Sequence, residues 1–104
     1  MINPIYINYI ASAIGVKEWQ VEHCVELFEE GATVPFISRY RKERTGALDE
    51  VQVAEIKFHY QKFLDLDKRK QSVLSSIAEQ GKLTSELEAM VADCVELQTL
   101  EDLY

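Results

Sequence analysis

Four cationic side chains fall within six residues, in a segment bracketed by Gly31 and Gly46. They are Arg39, Arg41, Lys42 and Arg44. Lysine and arginine side chains bind phosphate groups, and the planar guanidinium of arginine can do so with two parallel hydrogen bonds. The four residues are therefore the candidate nucleic-acid-binding residues of this chain, and Tyr40 lies beside them in the sequence.

The same segment has two further interpretations. Cations near the C-terminus of a helix interact favourably with the helix dipole, by about 0.3–1 kcal/mol each. Glu43, Asp49 and Glu50 are close enough in sequence to act as ion-pair partners. The third interpretation is a contact with a protein partner. The spacing of the cations fits all three.

The charge is unevenly distributed along the chain. The net charge is −7, which argues against a nucleic-acid-binding domain that acts on its own. Residues 31–70 nevertheless carry nine basic and six acidic side chains, whereas residues 1–30 and 71–104 are acidic. A solvated surface is the usual explanation of such a pattern, and the alternative is a local patch for a polyanion or an acidic partner.

No set of residues has the spacing of a catalytic or metal site. The two histidines, His23 and His59, lie outside any HExxH pattern, and the glycine-rich phosphate-binding motifs are absent. Glu55 and His59 are four residues apart and could touch one metal ion, but two ligands do not make a zinc site. We expect a non-enzymatic chain without metal or cofactor.

The cysteines and the apolar runs predict the compartment. Cys24 and Cys94 do not form a CxxC pair, and we expect two reduced, buried thiols. No apolar run approaches the roughly 20 residues that cross a bilayer, and the N-terminus lacks the pattern of a signal peptide. These features predict a cytoplasmic protein without a membrane partner.

Apolar residues recur at helical spacing, and no segment shows the alternation of a β-strand, so the predicted class is all-α. Asn3 and Pro4 begin a first helix, which Gly15 ends. A second helix follows from about residue 17 to 30, with no evident capping residue at its start. A third, short helix opens at Thr33 or Val34.

A long helix is predicted over residues 49–80. Asp49 and Gln52 have the spacing of a capping box, and no glycine or proline occurs before Gly81. The polar stretch 65–72 leaves open a break into two helices, and we favour one continuous helix. A further helix follows from Thr84 or Ser85, and another begins near residue 99.

The predicted architecture is an orthogonal or antiparallel bundle of about five or six helices. The second helix, the turn at Gly31 and the third helix resemble a helix-turn-helix unit. The predicted core contains Phe28, Phe36, Ile37, Tyr40, Phe58 and Phe63.

Four phrases resemble, in the same order, the N-terminal domain of the bacterial Tex family, the transcription accessory proteins. They are GATVPFISRYRKE at 31–43, GALDE at 46–50, EQGKLT at 79–84 and LEDLY at 100–104. The resemblance covers nearly the whole chain. It implies that residues 1–104 form a Tex-like N-terminal helical domain of a larger multidomain protein.

The resemblance also implies a function. Tex family members are large cytoplasmic proteins that bind nucleic acid and influence transcription, with their main RNA-binding domain downstream of this region. It implies a non-enzymatic module that binds nucleic acid, RNA rather than DNA, and has the downstream domains and the transcription machinery as partners. The alternative is a protein-interaction scaffold that docks the downstream domains without contacting nucleic acid.

Overall fold

The computed structural model describes residues 2–104, which form helices and no strand. In chain order the helices are α1 (Pro4–Ile14), α2 (Glu18–Glu29), α3 (Val34–Tyr40), α4 (Lys42–Thr45), α5 (Glu50–Glu79), α6 (Ser85–Ala92) and α7 (Leu97–Leu103). The all-α prediction is confirmed. The described chain has one helix more than the upper number predicted, because part of the basic segment forms a short helix of its own, α4.

The helices belong to two compact units. The first unit ends at Gln61 and contains α1 to α4 with the beginning of α5. The second unit, Lys62–Tyr104, contains the remainder of α5 with α6 and α7. The basic segment and every candidate binding residue lie in the first unit.

Side chains satisfy the backbone at several helix starts, as the sequence predicts. Asn3 Oδ1 accepts a hydrogen bond from the N–H of Ile5 at 3.0 Å. Thr33 and Thr84 accept from the N–H three residues further on, at 3.3 Å and 3.1 Å. At the start of α2, the N–H of Lys17 donates to Gln20 Oε1 at 3.0 Å. Gln20 therefore supplies the acceptor that the sequence left unidentified.

The long helix α5 begins with a complete capping box. Asp49 Oδ1 accepts from the N–H of Gln52 at 2.8 Å, and Gln52 Oε1 accepts from the N–H of Asp49 at 3.1 Å. The helix then continues without interruption to Glu79. This confirms the continuous helix, and Leu66 and Lys70 are buried within its polar stretch.

The predicted core is correct in part. Ile37 and Phe63 are buried, and Phe28 is half-buried with its ring stacked on Tyr60, at 5.9 Å between centroids. Three predicted core residues are instead exposed. The exposed fractions are 39% for Phe36, 63% for Tyr40 and 58% for Phe58.

The exposure of Phe36 and Tyr40 follows from which side of α3 faces inward. Successive residues of a helix are rotated by about 100°, so Ile37 and Ser38 share an inner side that leaves Phe36 and Tyr40 outside. Ser38 tolerates burial because its hydroxyl donates to the carbonyl oxygen of Pro35 at 3.2 Å. Phe58 is kept out of the core for a similar reason. It lies two positions after the completely buried Ile56, so its side chain is on the other side of α5.

Two cations of the second unit take part in its packing. Lys70 is only 6% exposed, and its Nζ donates to the carbonyl oxygen of Ala92 at 2.9 Å. Ala92 ends α6, where carbonyl groups lack helical partners. Arg69 binds the Glu101 carboxylate through Nε and Nη2, at 2.6 Å and 3.1 Å. Lys68 remains exposed.

The C-terminal helices also differ from expectation. Cys94 is buried as predicted, and Val91 on α6 is buried as well, whereas Met90 is 52% exposed. The last helix begins at Leu97 instead of residue 99, since the carbonyl of Glu96 already accepts the N–H of Leu100 at 3.2 Å.

Candidate nucleic-acid interface

The backbone of the basic segment is fixed on α2 by two polar side chains. Gln20 Nε2 donates to the carbonyl oxygen of Thr45 at 2.9 Å. His23 Nδ1 forms a hydrogen bond with the carbonyl oxygen of Arg44. Since a carbonyl oxygen can only accept, Nδ1 of His23 carries the proton in this contact. The carbonyl oxygens of Arg44 and Thr45, at the end of α4, thus have hydrogen-bond partners within the domain.

The turn after α4 is tight. Thr45 is completely buried, and its hydroxyl oxygen accepts from the N–H of Leu48 at 3.3 Å. Gly46 has a φ of 69°, and a Cβ atom placed there would lie 2.6 Å from Cη2 of Trp19. Ala47 also has a positive φ, of 66°. Glycine at position 46 therefore permits both the left-handed conformation and the close approach of the indole.

Arg44 is engaged within the domain. Its Nη2 lies 3.1 Å from Oε2 of Glu26, and both side chains are partly exposed. The ion pair uses an α2 carboxylate, and not one of the acids that neighbour Arg44 in the sequence. Arg44 therefore secures α4 on α2, and its charge is partly neutralised.

The other three candidate cations are disposed differently. Arg41 Nη1 donates to the carbonyl oxygen of Tyr40 at 3.0 Å, and its guanidinium carbon lies 5.0 Å from the centroid of the Phe36 ring. Arg39 and Lys42 are exposed. Within residues 2–104 neither of these two side chains has an ion-pair or hydrogen-bond partner. The four cations thus divide into two without partners, one against an aromatic ring and one ion-paired.

Two aromatic rings lie among these cations. The centroids of Phe36 and Tyr40 are 5.5 Å apart, with 50° between the ring planes. We call the set formed by Phe36, Arg39, Tyr40, Arg41 and Lys42 the α3–α4 surface. Sequence reasoning missed Phe36 as a surface residue, because an apolar residue at helical spacing was assigned to the core.

An acidic side chain limits how far this surface extends. The open groove beside α3 is lined by Leu27, Phe36 and Arg41, and Glu30 also contributes to its wall. A carboxylate there disfavours a phosphate group in the groove itself. The outer side of α3, where Arg39 and Tyr40 are exposed, is therefore the more favourable place for an anion.

The remaining chemistry of the described residues is limited. Burial raises the pKa of the Cys24 thiol to about 12, so this sulfur is protonated at neutral pH and is a poor nucleophile. Among residues 2–104 no group of three or more His, Cys, Asp or Glu side chains is arranged to hold a metal ion. Over the same residues, no helix combines the length and the apolar character needed to cross a membrane.

The fold and the surface together define a helical domain with an exposed patch of cations and aromatic rings. A family model described as "Tex-like protein N-terminal domain" matches residues 4–78. The chain belongs to this family. The resemblance inferred from the four sequence phrases is thereby confirmed.

Individual relatives agree with this assignment. Over 104 residues the chain is 42% identical to Protein YhgF of Escherichia coli (strain K12), covering 100% of this chain and 14% of that protein. It is 47% identical over 85 residues to Transcriptional accessory protein Tex of Neisseria gonorrhoeae, covering 82% of this chain and 11% of that protein. It is 25% identical over 95 residues to S1 RNA-binding domain-containing protein 1 of Homo sapiens, covering 91% of this chain and 10% of that protein. The chain spans between 10% and 14% of the length of these relatives.

Proposed function

We propose that this domain is a non-enzymatic, cytoplasmic module of a transcription accessory protein and contributes a nucleic-acid contact to it. In this proposal Arg39 and Lys42 bind phosphate groups, and Arg41 adds a third positive charge. Arg44 supports them by holding α4 on α2 through Glu26. RNA is the preferred ligand, since one relative carries RNA binding in its name.

The observation that carries the proposal is the state of Arg39 and Lys42. Both are exposed and have no ion-pair partner within the described chain, although the chain as a whole is acidic. A phosphate group can therefore approach either side chain without displacing an internal carboxylate. The contacts of Gln20 and His23 with the adjoining backbone reduce the conformational entropy that binding has to remove.

The acidic total charge favours a supporting contact over an independent one. A net charge of −7 repels a polyanion at long range, so the isolated domain is expected to bind weakly and with strong salt dependence. We place the main RNA contact in downstream domains of the same protein. Those domains and the transcription machinery are the proposed protein partners.

Fluorescence anisotropy with labelled single-stranded RNA and duplex DNA tests the proposal. The comparison variant carries alanine at Arg39, Arg41, Lys42 and Arg44, and circular dichroism checks that it is folded. We expect binding by the natural chain that weakens with salt and is lost in the folded variant. Absence of binding in both proteins, or equal binding by both, would contradict the proposal.

A second candidate function is docking of other protein segments, favoured by an exposed apolar patch in the first unit. Val51 is 66% exposed and lies two helical turns before Phe58 on α5. The ring of Tyr9 approaches His59, with 6.0 Å between centroids, and Phe58 also contacts His59. Docking through this patch would depend little on salt, and Phe58→Asp should abolish it while leaving RNA binding unchanged.

A further inference from the structure

We infer that Phe36 and Tyr40 form a stacking platform for an unpaired base, so that the α3–α4 surface selects single-stranded nucleic acid over duplexes. This inference rests on the proposed nucleic-acid contact and specifies its ligand. The cations alone would bind the phosphates of either form. Discrimination requires groups that contact the bases.

The two rings are placed outward by the geometry of α3. They are four residues apart, so they lie on the same side of the helix, away from the inner side that Ile37 and Ser38 share. The Tyr40 ring is the more exposed of the pair, at 63%. Its neighbour Phe36, 5.5 Å away between centroids, supports it from within the same surface.

Arg41 fixes the inner part of this platform. Its guanidinium lies over the Phe36 ring, at 5.0 Å from the centroid, and is also bound to the carbonyl oxygen of Tyr40. These contacts restrain Phe36 and Arg41 together and leave the Tyr40 ring exposed. The Phe36 ring, held in this way, gives the Tyr40 ring a fixed neighbour 5.5 Å away between centroids.

The charges on either side match the ligand. Arg39 is on the outer side of α3 between the two rings in sequence, and Lys42 follows directly after Arg41. An unpaired nucleotide can place its base on the Tyr40 ring and its phosphate group near one of these cations. In a duplex the base faces are stacked on one another and unavailable, so only the phosphate contacts remain. An acidic peptide could use the cations but would leave the rings without a partner.

The test compares Tyr40→Leu with Tyr40→Phe in the 104-residue chain. Leucine removes the aromatic face, whereas phenylalanine retains it and removes only the hydroxyl group. The probes are a labelled oligouridine strand and the same strand annealed to oligoadenosine, measured by anisotropy at one salt concentration. Thermal unfolding followed by circular dichroism confirms that both variants are folded.

We expect the natural chain and Tyr40→Phe to bind the single strand more tightly than the duplex. Tyr40→Leu should bind the single strand about tenfold more weakly, with duplex binding unchanged. Equal single-strand affinity in Tyr40→Leu and the natural chain would overturn the platform while the charge-based contact still stands. If neither the natural chain nor the variants bind either probe, the platform and the proposed function are both overturned.

Discussion

Arg44 and Glu26 form an ion pair across α2 and α4, with 3.1 Å between Nη2 and Oε2. Arg44 thereby differs from Arg39, Arg41 and Lys42, which form no ion pair within the described residues. A cation already bound to a carboxylate gains less from a phosphate group than one facing only water. The four candidate residues are therefore not equivalent, although the sequence presents them as one cluster.

This difference predicts unequal effects of single substitutions. Arg39→Ala should weaken binding to single-stranded RNA by several-fold, because it removes a cation that has no partner within residues 2–104. Arg44→Ala should weaken it less than Arg39→Ala, and should lower the free energy of unfolding by about 0.2–1 kcal/mol, as expected for a partly exposed pair. Anisotropy and urea unfolding measure the two quantities. The reverse order of effects on RNA affinity would contradict the assignment.

Gly46→Ala should destabilise the domain. The φ of 69° costs a residue with a side chain about 1–2 kcal/mol, and the new Cβ would also meet the Trp19 indole at 2.6 Å. Urea unfolding should show a free energy lower by at least that amount. Ala47→Gly is the matched control, because Ala47 already adopts a φ of 66° and should gain stability when its side chain is removed. A stability unchanged in Gly46→Ala would rule out this turn geometry.

Cys24 should resist alkylation in the folded protein. Burial raises the pKa of its thiol from 9.0 to about 12, so little thiolate forms at pH 8. Iodoacetamide labelling followed by peptide mapping should find Cys24 unmodified in buffer and modified in concentrated urea. Because the folded pKa is the higher one, this thiol's stabilising contribution is complete below pH 9 and declines as the pH rises toward 12. Rapid labelling of Cys24 in buffer would show that the sulfur is accessible.

Glu101 should make the second unit sensitive to acid. Its hydrogen bond from Arg69 lowers the pKa of the carboxyl below 4.5, while desolvation opposes the shift. A lowered folded pKa means that the stabilisation is present above pH 4.5 and is lost as the pH falls through the folded value. Thermal melts between neutral and acidic pH should show a weaker acid dependence for Glu101→Gln than for the natural chain. Glu79→Gln, at an exposed position, is the control and should retain the natural profile.

Local signals in the sequence predicted most of the helix starts. Asn3 and Thr33, and Asp49 with Gln52, act on N–H groups within a few residues, so their spacing alone identifies the caps. The class and the continuous α5 follow from the same local rules. The side of α3 that faces inward does not, since it depends on the packing that buries Ile37 and Ser38.

Contacts between distant residues account for what the sequence left undetermined. Arg69 meets a carboxylate 32 positions away, and Lys70 meets a carbonyl 22 positions away. Arg44 meets Glu26 at a separation of 18 positions. No periodicity encodes these pairs, so the sequence could not tell which of the cations the fold neutralises.

The phosphate contact proposed for Arg39 and Lys42 can be tested through the salt dependence of RNA binding. A single-strand phosphate contact contributes about −0.7 to the slope of log affinity against log salt concentration. The double variant Arg39→Ala/Lys42→Ala should therefore bind single-stranded RNA with a slope shallower by about 1.4. Lys68→Ala/Lys82→Ala removes the same charge at exposed positions of the second unit and should keep the natural slope. An unchanged slope in the Arg39/Lys42 variant, or the same decrease in both variants, would contradict a specific phosphate contact on the α3–α4 surface.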